Sequence, residues 1–541
     1  MTTSNLLIAA IGVPLAMLLA CIVSGIRERM PSLLALAPIP ALVAALCADD
    51  TPLVLGNARF ALSFAMDKPG AMLLLVAAIC GSRRGYAATE LRGAVNAGRL
   101  VVCWLMTLTG CIGVFLAADM VGFYFLLAVL SVGASRLVLQ GGTAEALRAS
   151  AVYLGLALIA EAFLLAGLVM LAMVTPDGSL LIRDAAAAIP TSPWRDLTLV
   201  LLVVGLGMKA GLVPLHFWMP LAYGAAPIPA AAVMSGAVVK ASALALIRFL
   251  PLGVGLPDFG LPLAAIGLCG AFYGVAIGIT QSRPKLVLAY SSVSQMGFLV
   301  AVIGMGLATG DVDTPLAASF YAAHHLLVKG ALFLAVGVIA TTGRRWLWPM
   351  LLPAAILALG IGGLPLTGGA LAKLAVKPVL GDGWVELLAI LSAIGTTLLM
   401  LHFLHRLLAS ASPDPSMSAP VGWVLSWMFM FVAALVAPWM LYSATGIGTW
   451  SDALQPAILW AASWPILIGA GLALGLWRWG RYLPRVPEGD VVVVGQPVMR
   501  VVVRCAEALE RVEGVLRQWP VAGLSLLMLS LILGGVMFNG H

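Results

Sequence analysis

The sequence predicts an all-α polytopic membrane protein of about 14–16 transmembrane helices, and three observations carry that reading. Of its 541 residues 62% are hydrophobic and only 10% charged, with a mean hydropathy of +1.06. No soluble domain of useful size remains once the apolar runs are set aside. Those runs recur along the whole chain at close to the ~20 residues that cross a bilayer core. The basic residues, finally, gather in alternate loops.

Taken in order, sixteen spans fall at about 5–26, 30–48, 67–82, 99–118, 120–138, 150–173, 197–214, 225–249, 258–280, 286–307, 315–341, 350–376, 384–408, 421–444, 456–477 and 519–538. The opening MTTSN has no basic stretch before its apolar run, so the first span reads as a transmembrane helix and not a cleaved signal. Loops after odd-numbered spans hold 20 Lys and Arg, from Arg27 and Arg29 through Arg83, Arg84, Arg92, Arg345 and Arg485 to Arg517. Loops after even-numbered spans hold 6: Arg59, Lys68, Arg183, Arg195, Arg248 and Lys377. The positive-inside rule then puts the odd-numbered loops in the cytoplasm and both termini outside, in a bacterial inner membrane. That asymmetry accounts for most of the net charge of +7. No nucleic-acid partner is needed to explain it.

Seven cysteines are scattered without a CxxC pair and read as small core residues. No metal site, cofactor or disulfide is expected from them. Residues 51–67 alternate like a short strand pair on the outer face. Residues 411–420 form a Pro/Ser linker. Between the last two spans, Val502, Cys505, Leu509, Val512 and Leu516 recur at helical spacing among charged neighbours, which predicts an amphipathic interfacial helix. It either lies on the membrane or braces a neighbouring subunit.

The chemistry concentrates between Gly205 and Leu250. Lys209 and Lys240 sit in two apolar segments on either side of a link containing Pro214, Pro220, Pro227 and Pro229. A lysine at mid-membrane costs roughly 2.5–3.5 kcal/mol even on insertion scales. Non-helical backbone at that depth is tolerated only beside protein or a water-filled cavity. The pattern predicts a buried, hydrated, charged interior that moves ions. Lys209 near Pro214 is echoed 164 residues later by Lys373 near Pro365, each in a Gly/Pro-broken segment, as paired repeats would require.

The run KAGLVPLHFWMP followed by AAPIPAAAVMSGAVVK resembles the antiporter-like subunits shared by respiratory complex I, Mrp cation/proton antiporters and membrane-bound hydrogenases. The resemblance returns at residues 286–306 (LVLAYSSVSQMGFLVAVIGMG), 324–337 (HHLLVKGALFLAVG) and 364–374 (LPLTGGALAKL), covering about 55–410 in the right order. MSG…K and HHLLVKGALFL lean towards the hydrogenase type, and YSSVSQMG towards the Mrp D or complex I N type.

The resemblance implies two inverted five-helix repeats containing broken helices. The chain would then divide into 1–98, helices 1–3 with the outer hairpin; 99–249, the first repeat; 250–410, the second; and 411–541, the remaining helices with the interfacial segment. It also implies roles. Lys209 matches the family's essential lysine, Lys240 its connecting lysine, His325 and Lys329 the centre of its hydrophilic axis, and Lys373 the axis terminus. His216 falls at a family loop position. His324 lies beside the axis pair. Lys377 reads as snorkelling to the outer surface, and His402 and His405 read equally as headgroup-level residues or as a relay.

The sequence departs from the family at one place. A glutamate of the fifth span, partner to the Lys209 equivalent, is replaced here by Ala128, and no acid lies between Asp119 and Glu145. Glu161, central in the sixth span, is the candidate substitute, because a buried carboxylate calls for a cation.

These readings add up to a proton-conducting membrane subunit of a multi-subunit assembly, with Na⁺ exchange left open. Its partners would be other membrane subunits and lipid, and any redox energy would come from those subunits. Two rivals stand beside this expectation: the membrane module of an energy-coupled inorganic-carbon uptake complex, and a structural subunit that no longer conducts.

Overall fold

The computed structural model describes residues 2–57, 60–81, 97–482 and 486. The chain divides into two compact units, residues 1–488 and 489–541, and the second falls wholly outside the described residues. So do the expected interfacial helix, the span at 519–538, and the loop arginines Arg83, Arg84, Arg92 and Arg485.

The described chain is helical apart from one hairpin. Helices α1 (Thr3–Ala20), α2 (Ser24–Leu33) and α3 (Ile39–Cys47) come first. Next is the hairpin β1 (Leu53–Asn57) and β2 (Phe60–Phe64), antiparallel, with Leu53 opposite Phe64 and Asn57 opposite Phe60. Then follow α4 (Lys68–Gly81), α5 (Ala97–Leu116), α6 (Met120–Leu139), α7 (Ala144–Val174), α8 (Ile182–Ala188), α9 (Arg195–Ala210), α10 (Trp218–Ala225), α11 (Ile228–Val233) and α12 (Val239–Phe249). The rest is α13 (Pro257–Gly278), α14 (Pro284–Thr309), α15 (Thr314–Ala340), α16 (Leu347–Gly362), α17 (Gly368–Leu380), α18 (Trp384–Ala409), α19 (Val421–Ala444), α20 (Trp450–Ala453) and α21 (Pro456–Trp479). Among the described residues, 12 helical stretches are long and apolar enough to cross a membrane, and α4 and α16 are shorter apolar helices. This is a multi-pass membrane protein.

Three expectations need correction. The first span ends at Ala20, and the second begins at Ser24 with Arg27, Glu28 and Arg29 already helical. Hydropathy registers their charge as a loop, but charged side chains on an exposed helical turn break no backbone hydrogen bond. The span at 350–376 is two helices, α16 and α17, with Gly363 (φ 102) and Leu366 (φ 64) between them. The span at 225–249 is continuous but wound as a π turn at Met234–Val238 between α11 and α12. Such turns frequently mark functional sites.

The two breaks close in the same way. After α9, Gly211 adopts φ 75, its N–H donates to Met208 O, and the Leu212 N–H reaches back to Gly207 O at 2.8 Å. After α16, the Gly363 N–H donates to Gly360 O and the Leu364 N–H to Leu359 O at 3.1 Å. Both are Schellman closures, which need a residue in the left-handed region and so favour glycine. Each leaves the negative end of a helix dipole inside the protein.

Helices α14 and α15 form the centre, with their most apolar windows entirely buried, whereas α1, α19 and α21 are largely exposed. Helix α13 packs antiparallel on α14 through a seam of small residues. A Cβ on Gly267 would come within 2.6 Å of Gly297 O, one on Gly274 within 2.6 Å of Tyr290 O, and one on Gly304 within 2.5 Å of Ala264 N.

Candidate functional site

Lys209 lies in the last turn of α9, where the dipole favours a cation. Its Nζ donates to Glu161 Oε1 on α7 and to Ser131 Oγ on α6, both at 2.7 Å. The Lys209 and Glu161 side chains are only 8% and 7% exposed. The Ser131 hydroxyl donates its hydrogen bond to Leu127 O at 2.9 Å, which leaves its oxygen free to accept. Close approach of α9 and α7 makes the pairing possible: a Cβ on Gly205 would sit 2.8 Å from Ala160 O. The carboxylate expected of Glu161 is thus in direct contact with Lys209. Two charges in this setting cost several kcal/mol each to desolvate and persist together because either alone costs more.

Lys240, fully buried, follows the π turn. Its Nζ donates to Ser235 O at 3.1 Å, a carbonyl of that turn, and lies 2.5 Å from His325 Nδ1 on α15. With Lys240 as the ammonium, Nδ1 is the acceptor of this contact. Lys329, also fully buried, donates to Leu288 O on α14 at 2.8 Å. His325 and Lys329 therefore share a helix but hold different neighbours. The adjacent His324 faces another way, with its ring against the backbone of Gly368 and Gly369 at the start of α17. Successive side chains on a helix diverge by about 100°, so the His pair spans from α12 to the second broken helix.

Lys373 lies on α17, and its Nζ donates to Gly362 O, the last residue of α16. The two lysines stand differently to their breaks. The glycine closures correspond, but Lys209 lies two residues before its closing glycine and Lys373 ten residues after. Both ammoniums still end at the C-terminus of a broken half-helix. Among the described residues no carboxylate pairs with Lys240, Lys329 or Lys373. A cavity of about 310 Å³ adjoins Lys373, Lys377 and Glu386.

The other candidates sit apart. The His216 ring packs edge-on against Tyr273 of α13, centroids 4.8 Å apart, tying the link between α9 and α10 to its neighbour. His402 Nε2 lies 2.9 Å from Gln281 O, and His405 stacks near Trp477, both towards the end of α18.

Sequence reasoning missed Ser131, although it lies one turn beyond Ala128 on the same helix. It missed the carbonyl that the π turn offers to Lys240. It also treated Arg248 as a loop residue. All five guanidinium N–H groups of Arg248 are used: Nε and Nη2 hold Asp67 Oδ2 and Oδ1 at 3.0 and 2.6 Å, and the rest reach Val114, Phe115 and Ala117 carbonyls. This fixes the end of α12 to the end of α5 and the start of α4. No short-range signal announces it, since Asp67 and Arg248 are 181 residues apart.

Residues 117–399 match the family model described as NADH:quinone oxidoreductase/Mrp antiporter, transmembrane. The N subunit of NADH-quinone oxidoreductase from Desulforudis audaxviator is 33% identical over 340 residues, which is 60% of this chain and 65% of that one. The D-type subunit of the Na(+)/H(+) antiporter from Alkalihalophilus pseudofirmus is 30% identical over 294 residues, 50% of this chain and 57% of that one. The chain thus aligns with less than two thirds of each relative. A chain of the Mrp complex from a Dietzia species shares the fold over 100% of this chain and 63% of its own length, with a TM-score of 0.79 at 21% identity. A match across more than half of its residues settles the lineage: the chain belongs to the NADH:quinone oxidoreductase/Mrp antiporter membrane family.

Proposed function

We propose that this chain is the ion-conducting subunit of a larger membrane assembly and carries protons along Lys209, Lys240, His325, Lys329 and Lys373. The observation that carries the reading is the Lys209–Glu161 pair, a carboxylate supplied by α7 where α6 offers only Ala128 and Ser131. A structural relic has no reason to keep two desolvated charges in register across three helices. The pair therefore weighs against the non-conducting alternative.

The mechanism follows from what each group can hold. Glu161 keeps the Lys209 ammonium charged. When the two separate, the ammonium is left desolvated and an N–H bond breaks, passing its proton to water in the interior. Neutral His325 accepts at one nitrogen and donates from the other, so it can hand a proton between Lys240 and the next carrier. Lys329 and Lys373, held by carbonyls that neither gain nor lose charge, load and unload without a counter-ion having to move.

The relatives' names place them in a quinone oxidoreductase and a Na⁺/H⁺ antiporter, so the assembly here would supply its driving energy through other subunits. The matching Gly211 and Gly363 closures support repeats at 99–249 and 250–410. Loop charge supports outward-facing termini.

In vesicles carrying the intact assembly, Lys209→Ala, Lys240→Ala and Lys373→Ala each abolish the dye-reported pH gradient while the assembly still purifies. A triple variant that pumps normally and remains sensitive to uncoupler rules this path out. Single cysteines at Arg345 and Asp452 label from opposite sides of the membrane; same-side labelling refutes the topology.

A further inference from the structure

The cavity beside Lys373 is walled by α17, α18 and α21, and its ionisable side chains are Lys373, Lys377 and Glu386. Lys373 lies at its inner wall, with Nζ turned to the Gly362 carbonyl. Lys377, one turn further along α17, pairs with Glu386 Oε1 at 3.1 Å. Lys377 is 60% exposed and Glu386 27%, so this pair stands at the mouth while Lys373 stands inside. A space of about 310 Å³ with polar groups on its wall has room for several waters. Glu386 occupies the first turn of α18 and Lys377 the last turn of α17, each where the helix dipole favours its charge.

We propose that Glu386 is a further proton-exchanging group, the station between Lys373 and the solvent on the side of the α17–α18 loop. This rests on the reading of Lys373 as a carrier. In the outward step an N–H bond of the Lys373 ammonium breaks and its proton enters the cavity water. An O–H bond forms on Glu386, which loosens its hold on Lys377. Glu386 then gives the proton to bulk water, recovers its charge and closes on Lys377 again. The inward step is the reverse. No oxidant or reductant takes part. Lys377 parks the charged Glu386 between transfers and is not itself needed for proton release, because the carboxyl group opens to bulk water at the mouth.

A pair joining the ends of two helices could equally be a staple, and three substitutions in the intact assembly separate the two roles. Glu386→Gln keeps the shape and a hydrogen bond to Lys377 but cannot carry a proton. It lowers translocation roughly tenfold, less than the 10²–10⁴ of a buried acid or base because cavity water bypasses it in part. Glu386→Asp keeps the carboxylate and most of the rate. Lys377→Gln breaks the pair but spares the carboxylate, and it keeps most of the rate too. In a fourth variant, Ala461→Cys, the new thiol on the cavity wall reacts with a membrane-impermeant methanethiosulfonate added on the α17–α18 side. A wild-type rate in Glu386→Gln, equal losses in Glu386→Gln and Lys377→Gln, or an unreactive thiol in Ala461→Cys each overturns the proposal. Failure of the underlying reading looks different, because Lys373→Ala would then translocate at full rate.

Discussion

Lys209 and Lys373 both bring an ammonium to the C-terminus of a broken half-helix, yet they are held in opposite ways. Lys209 has a carboxylate and a hydroxyl, Glu161 and Ser131, from two other helices and scarcely any space beside it. Lys373 has one backbone carbonyl and a cavity of about 310 Å³. A charged partner makes an ammonium's state depend on where that partner is. A carbonyl and water make it depend on what the solvent supplies. The first arrangement suits a gate that responds to a neighbour, and the second suits a port.

The contrast breaks most visibly in stability. Lys209→Ala leaves Glu161 buried and uncompensated, a loss on the order of 3–5 kcal/mol. Lys373→Ala strands no charge and costs about 1 kcal/mol or less, the net worth of a single hydrogen bond. Thermal unfolding of the two purified variants reads the gap, and equal melting temperatures would erase the distinction. Adding Glu161→Ala to Lys209→Ala recovers most of the lost stability without restoring translocation.

Moving the carboxylate sharpens the comparison further. In a Glu161→Ala background, Ala128→Glu returns an acid to α6, one turn from Ser131, and translocation recovers in vesicles. No recovery would show that Lys209 needs its partner on α7. The smallest effect on translocation belongs to Ser131→Ala, which removes one of two acceptors and costs roughly 1.5 kcal/mol with only a partial loss of rate. Among the described residues no comparable side chain holds Lys373.

Most of the spans were legible because ~20 apolar residues have few other uses, and the breaks because glycine and proline punctuate helices. Four lysines, Lys209, Lys240, Lys329 and Lys373, are what remain of the 30 Lys and Arg once the loops are counted. That remainder made the site legible. Glu161 was legible by elimination, as the sole acid central in a span. What stayed hidden depends on three dimensions. The Asp67–Arg248 clamp joins distant segments, and the π turn beside Lys240 has no compositional mark. Arg27 to Arg29 misled hydropathy because an exposed turn of helix and a loop read alike.

The small-residue seam between α13 and α14 bears on how such a molecule can work. Transporters built from repeats commonly alternate access by rocking one bundle against the other. Rocking needs an interface that can shear, with side chains trading one set of grooves for another. Along Gly260, Gly267 and Gly274 there is no room even for a methyl group against the facing backbone. The two helices cannot slip by a residue without collision. Lys329 is anchored to this block through Leu288 O. Within the proposed proton path, this pair of helices would act as a fixed pillar, and opening and closing beside it would fall to side chains and chains of water over a few ångströms.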